Sequence, residues 1–180
     1  MKISYDELFD SCCANRGKYS CVIFLDIDGV LNDFDDRSSN RAPVNVSMVM
    51  RLKKIVEVSS ADIILTSSWR MYYGMHDNVN EKYQMLLQTF DKYGLTISGK
   101  TEEIGFDLRS RPLEIRHWLM DKPDVERFVI LDDMNWHWGW LSDHVAHTRR
   151  RDKSSLTGWS SGLDDDNVHQ AIKILLALDE

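Results

Sequence analysis

Apolar residues occur in this chain in two patterns. In the first they run without interruption and stop at a polar residue: "CVIFL" before Asp26, "IIL" before Thr66 and "FVIL" before Asp132. Continuous runs of that kind match strands buried on both faces of a parallel sheet. In the second pattern they recur every three or four positions. Leu8, Phe9 and Cys12 do so in residues 4–15, and Met48, Leu52, Ile55 and Val56 in a segment that Asn45 or Ser47 can cap and that runs to about Glu57. These segments predict amphipathic helices. Further helices are predicted over residues 80–93, stopped by Gly94, over 112–121, opened by Pro112, and at the C-terminal end. There Asp164, Asp165 and Asp166 lie at the positive end of the helix dipole. "LTIS" and "HVAHT" add two short strands. Strands alternating with helices imply an α/β fold, a central parallel β-sheet with helices on both faces. Ligands of such sheets bind at the carboxyl ends of the strands.

Composition narrows the picture. The 180 residues suit one domain, with no internal repeat, low-complexity tract or linker. No apolar stretch approaches the roughly 18 residues of a membrane span, so no membrane partner is expected. The start, "MKISYDELFDSCC", has acids where a signal peptide has a basic head, which points to the cytoplasm. Cys12, Cys13 and Cys21 have no spacing that suits a zinc site or a disulfide framework. A net charge of −7 argues against non-specific coating of nucleic acid but leaves room for a local grip on one end.

The chemistry gathers at three strand ends: Asp26 with Asp28, Thr66 with Ser67, and Asp132 with Asp133. Carboxylates brought to one sheet edge repel one another unless a cation screens them. All-oxygen ligands select a hard divalent ion, and Mg²⁺ is the usual choice beside a phosphate. Arg109 and Arg111 precede a helix and are the candidate basic residues.

These motifs, in this order, resemble the haloacid dehalogenase (HAD) superfamily of phosphohydrolases. "FLDIDGVLN" is similar to its first motif, "IILTSSW" to the second, Arg111 with Pro112 to the basic third and "VILDD" to the acidic fourth. Together they span residues 20–133, and "SGLDDDNVHQAIKIL" adds a weaker match. Within the superfamily the chain resembles the small phosphatase domains of RNA repair proteins, relatives of polynucleotide 3′-phosphatase domains. The resemblance implies a Rossmann-like HAD fold, a single phosphatase domain over residues 1–180, and an aspartyl-phosphate mechanism. Asp26 would be the nucleophile and Asp28 the acid/base. Thr66, helped by Ser67, would bind the phosphoryl oxygens and Arg111 would balance their charge. Mg²⁺ would be held by Asp26, the backbone carbonyl of Asp28, and Asp132, with Asp133 a ligand through water or an orienting group. The third motif is more often Lys, and Arg109 lies two residues away as the alternative to Arg111.

About 37 residues separate Asp28 from Thr66 and 44 separate Thr66 from Arg111. Core elements use up most of both intervals, so any cap is minimal, and an open site suits a macromolecular end. The expected partner is a phosphorylated substrate: an RNA or DNA end, with a polynucleotide 3′-phosphate first, or a nucleotide. A small-metabolite phosphatase and a non-catalytic HAD-fold binding module are the alternatives. Intact Asp26 and Asp28 argue against the module. The tryptophans of "MNWHWGWL", with Trp69 and Arg70, suit either base stacking or core packing, and packing is the more common use. His137, His144 and His147 are expected to be ordinary surface or core histidines. Arg149, Arg150, Arg151 and Lys153 form either a solvated loop or a phosphate-backbone contact.

Overall fold

The structure is a computed structural model that describes residues 19–32, 43–75, 80–104, 110–148 and 162–178. The helix expected over residues 4–15, Cys12, Cys13, Arg109 and the basic cluster of Arg149, Arg150, Arg151 and Lys153 lie outside these residues.

Five strands form one all-parallel sheet: β1 (Cys21–Leu25), β2 (Asp62–Leu65), β3 (Ile97–Lys100), β4 (Arg127–Asp132) and β5 (Val145–His147). Their order is β3-β2-β1-β4-β5. The helices are α1 (Val46–Ser59), α2 (Glu81–Lys92), α3 (Arg111–Met120) and α4 (Asp165–Leu176). The fold is therefore α/β and Rossmann-like, as the alternation of buried runs and helices predicts.

Side chains along β1 alternate between the faces of the sheet. Ile23 and Leu25 pack with Leu52 and Ile55 of α1, Leu86 and Phe90 of α2, and Ala171 and Leu175 of α4. Val22 and Phe24 face Ile115 of α3 together with Trp138 and Leu141. Every β1 residue from Val22 to Leu25 is fully buried, which accounts for the unbroken apolar run.

Asn45, not Ser47, caps α1: its side chain accepts a hydrogen bond from the Ser47 backbone N–H at 2.8 Å. In α4, Asp164 and Asn167 cap reciprocally, Asp164 accepting from the Asn167 backbone and Asn167 from the Asp164 backbone. The strand expected at "LTIS" begins two residues later and continues to Lys100. Gly94 (φ 71°) ends α2 in a Schellman arrangement in which the Leu95 N–H donates to the Phe90 carbonyl at 2.9 Å. Leu95 is thus spent on the helix exit. Two 3-10 segments, Ser68–Tyr72 and Gly139–His144, were not expected. Among the described residues no helix is long and apolar enough to cross a membrane.

Chain connections run from β1 towards β2 and β3 on one side, and from β4 towards β5 on the other. The direction reverses between β1 and β4. A crevice opens at such a switch point, at the carboxyl ends of the strands. The residues that follow β1 and end β4 are Asp26 and Asp132.

Candidate active site

Sheet register brings the expected residues into one row. Leu25 pairs with Leu65 and with Leu131, so the next residues, Asp26, Thr66 and Asp132, are lateral neighbours. Backbone bonds extend the ladder by one step: the Asp26 N–H donates to the Leu131 carbonyl at 3.0 Å and the Thr66 N–H to the Leu25 carbonyl at 2.9 Å. All three residues are buried.

Carboxylate oxygens of Asp26, Asp132 and Asp133 lie within 4.8 Å of one another. The countercharge in place is Arg111, the first residue of α3. Its Nη1 is 2.7 Å from Asp26 Oδ2 and 2.5 Å from Asp132 Oδ2. Among the described residues Arg111 thus bridges two of the three carboxylates, Asp26 and Asp132. Burial pushes the Asp26 carboxyl up; opposing that are the charge and hydrogen bond of Arg111, the Ile27 N–H and Ser67. Burial also pushes Asp132 up to about 6, against the pull of Arg111 and with the help of the Asp26 charge. For Arg111, burial alone would favour loss of the proton, but the two carboxylates outweigh it and hold the guanidinium charged. Three converging carboxylates fit a divalent cation, which prefers hard oxygen ligands.

Thr66 supplies a second fit. Its hydroxyl is fully buried and has no hydrogen-bond partner among the described residues. Buried hydroxyls are nearly always paired, because an unpaired one costs about 1–3 kcal/mol. A ligand oxygen placed beside it would pair it. Ser67 hydrogen-bonds Asp26 and also caps the 3-10 turn, accepting from the Trp69 N–H at 3.4 Å.

Asp28 stands apart from the acidic cluster. Its Oδ1 accepts from Asn32 Nδ2 and its Oδ2 from Trp69 Nε1, both at 2.9 Å. Of the expected metal residues, the carboxylates that converge are therefore Asp26, Asp132 and Asp133, and not Asp28.

Gly29 turns the loop at φ 79°, and a Cβ there would lie 2.1 Å from Asp133 Oδ2. Thr148 Oγ1 donates to the Gly29 carbonyl at 2.9 Å and holds the turn. Gly29→Ala should cost about 1–2 kcal/mol for the left-handed backbone alone. It should also displace the Asp133 carboxylate. The expected result is a lower melting temperature and weaker binding of an added divalent cation, read by unfolding and by titration calorimetry. A variant with wild-type values in both would refute the close packing.

Several contacts had no signal in the pattern of the chain. Trp136 donates to Asp132 Oδ1 at 3.2 Å and lies over Arg111, 5.6 Å from guanidinium carbon to ring centre. Trp138 is buried in the core and Trp140 is 57% exposed. His144 stacks on Phe128. Among the described residues no histidine joins the acidic cluster. Arg70 is tied into the fold by its donors. It makes a two-pronged pair with Glu114 at 2.6 and 2.9 Å and donates to the Thr66 carbonyl at 2.8 Å. That network ties the end of β2 to α3, one turn beyond Arg111. Trp69, too, has its indole N–H committed to Asp28.

A parallel sheet with a buried acidic cluster, an arginine and an unpaired hydroxyl at its switch point defines a HAD-type α/β domain. The chain belongs to the family described as the HAD domain in Swiss Army Knife RNA repair proteins, whose model matches residues 22–168. Neither the search of curated proteins nor that of solved structures found a match.

Proposed function

We propose that this chain is a Mg²⁺-dependent phosphomonoesterase acting through an aspartyl-phosphate, with a polynucleotide 3′-phosphate as its preferred substrate. The observation that carries the reading is the unpaired, buried Thr66 hydroxyl in the same row as Asp26 and Asp132.

In this reading Asp26 attacks phosphorus, and the ester P–O bond breaks as the leaving oxygen takes a proton from the Asp28 carboxyl. Water then attacks the phosphoryl group, its proton passes to Asp28, and the bond to Asp26 breaks. Inorganic phosphate and the free hydroxyl are the products. Thr66, with the N–H groups after β1 and β2, would hold the phosphoryl oxygens, and Arg111 would balance their charge. Asp26, Asp132, Asp133 and the Asp28 carbonyl would hold Mg²⁺, which when bound supplies charge neutralisation to the carboxylates and the phosphoryl group.

Substrate class rests on two supports: a family described through RNA repair proteins, and core elements that leave short intervals for a cap. The single domain over residues 1–180 and a cytoplasmic location complete the proposal. The test is phosphate release from a 3′-phosphorylated oligonucleotide, its 5′-phosphorylated counterpart, a mononucleotide and an aryl phosphate. The 3′-phosphorylated oligonucleotide should give the highest kcat/KM. Equal or better turnover of mononucleotides would instead favour a free-nucleotide phosphatase, and silence on all four a binding module.

Cation binding and pH should be linked. Without a cation, burial holds the Asp26 and Asp132 carboxyls above the ordinary value of about 3.9 that they have in the unfolded chain. For Asp132 the resulting stability contribution is present at low pH and is lost as pH rises through about 6. A cation requires the ionised form. The rise in melting temperature on replacing chelator with Mg²⁺ should therefore be larger at pH 7.5 than at pH 5. A rise independent of pH would contradict the assignment of the ligands.

A further inference from the structure

Asp28 is the partly buried member of the acidic group, and both of its oxygens are held. Trp69 Nε1–H reaches Oδ2 from the 3-10 turn after β2, across 41 positions of sequence. Asn32 Nδ2–H reaches Oδ1 from within the loop after β1. Neither donor has an alternative role open to it. An indole N–H can only donate. The Asn32 amide is oriented by its other bonds, its oxygen accepting from the Gly29 N–H at 3.0 Å and its nitrogen donating to the Pro43 carbonyl at 3.0 Å. Trp69 is itself fixed, its ring packed against the core and its backbone N–H held by Ser67.

We infer that Trp69 and Asn32 are positioning residues that hold the Asp28 carboxyl from two sides and so set its aim at the leaving oxygen. The inference rests on the phosphatase reading above. Proton transfer in a transition state is sensitive to placement, because the acid must lie within hydrogen-bond reach of the oxygen it protonates. A partly buried carboxyl without these donors would be free to sample other rotamers. A protonated carboxyl keeps acceptor capacity, so both contacts are compatible with either proton state of Asp28. Trp69 thereby links the Thr66–Ser67 strand end, where the phosphoryl oxygens would sit, to the group that serves the leaving atom.

A residue that acts through the general acid has a signature that a merely structural one lacks: its loss matters only when the leaving group needs the proton. The experiment compares kcat/KM for phenyl, 4-nitrophenyl and 2,4-dinitrophenyl phosphate, three esters with the same ring and falling leaving-group basicity. The parameter kcat/KM reports the steps through departure of that group, so the later hydrolysis of the phosphoenzyme does not enter. Trp69→Phe, which keeps an aromatic ring in place, should lose about tenfold on phenyl phosphate, a part of the 10²–10⁴ that general acids contribute. On 2,4-dinitrophenyl phosphate it should lose less than about twofold. Asn32→Ala, which removes the other donor from a different segment, should show the same gradient. In an Asp28→Ala background, Trp69→Phe should cause no further loss on 4-nitrophenyl phosphate, since residues that act as one unit are not additive. Equal losses on all three esters, no loss on any, or additive loss in the Asp28→Ala background would overturn the inference while the phosphatase reading stood. A wild-type protein silent on all three esters and on a 3′-phosphorylated oligonucleotide would instead overturn the phosphatase reading, and the inference with it.

Discussion

Asp26→Asn is expected to abolish phosphate release, lowering kcat by at least about 10³-fold on every substrate, without lowering folding stability. The amide keeps the shape of the side chain but is not a competent nucleophile, and no second carboxylate occupies its place in the row. Asp132 and Asp133 are committed elsewhere: Asp132 accepts from Arg111, the Met134 N–H and Trp136, while Asp133 packs against Gly29. Stability should hold because burial already disfavours the ionised carboxylate. Arg111 also retains Asp132 as a partner at 2.5 Å. Phosphate release with Mg²⁺, beside a thermal melt in chelator, makes the check. Retained activity would remove Asp26 as the nucleophile, and a large loss of stability would show that the Asp26–Arg111 pair is needed for the fold.

Arg70→Met should have the largest effect on stability. Glu114 is 2% exposed and Arg70 supplies both prongs of its pair, with Ser110 Oγ adding a bond at 2.7 Å. Removing one partner of a buried pair leaves a charge without compensation, at a cost of roughly 3–5 kcal/mol. For a chain of this length that corresponds to a drop in melting temperature of about 6–20 °C. Glu114→Gln in the same chain should recover part of the loss, since the stranded charge is then gone. The pair also sets the Thr66 carbonyl and the first turn of α3, so catalysis should fall with stability. A denaturant titration that finds less than about 1 kcal/mol would place the strength of that junction in the surrounding packing.

Much of the architecture was legible along the chain, because burial on both faces writes itself as an unbroken apolar run. β1 and β4 were read that way, and the polar residue that stops each run marks the strand end where a ligand can sit. α1, α2 and α4 were legible from spacing and caps, with errors of a residue or two where a helix exit used a residue that reads as strand, as at Leu95. The two 3-10 segments were not legible. Their residues carry no periodicity of their own and owe their shape to neighbours, such as the Ser67 cap and the packing of Trp138 and Leu141.

The site divides in the same way. Residue types and their order along the chain singled out Asp26, Asp28, Thr66, Ser67, Arg111, Asp132 and Asp133, since each stands where an apolar run stops or a helix starts. Which of them meet was decided only in three dimensions. Parallel register set Asp26 between Thr66 and Asp132, and the left-handed turn at Gly29 let Asp133 approach. Long side chains spanning separate elements then divided the carboxylates, with Arg111 bridging Asp26 to Asp132 and Trp69 and Asn32 drawing Asp28 to the other side. Sequence by itself determined the strand ends and the chemistry they carry, because burial and backbone preference act residue by residue. Only the tertiary structure decided the partners, because a hydrogen bond between positions 28 and 69 depends on where the sheet brings them and leaves no pattern in the chain.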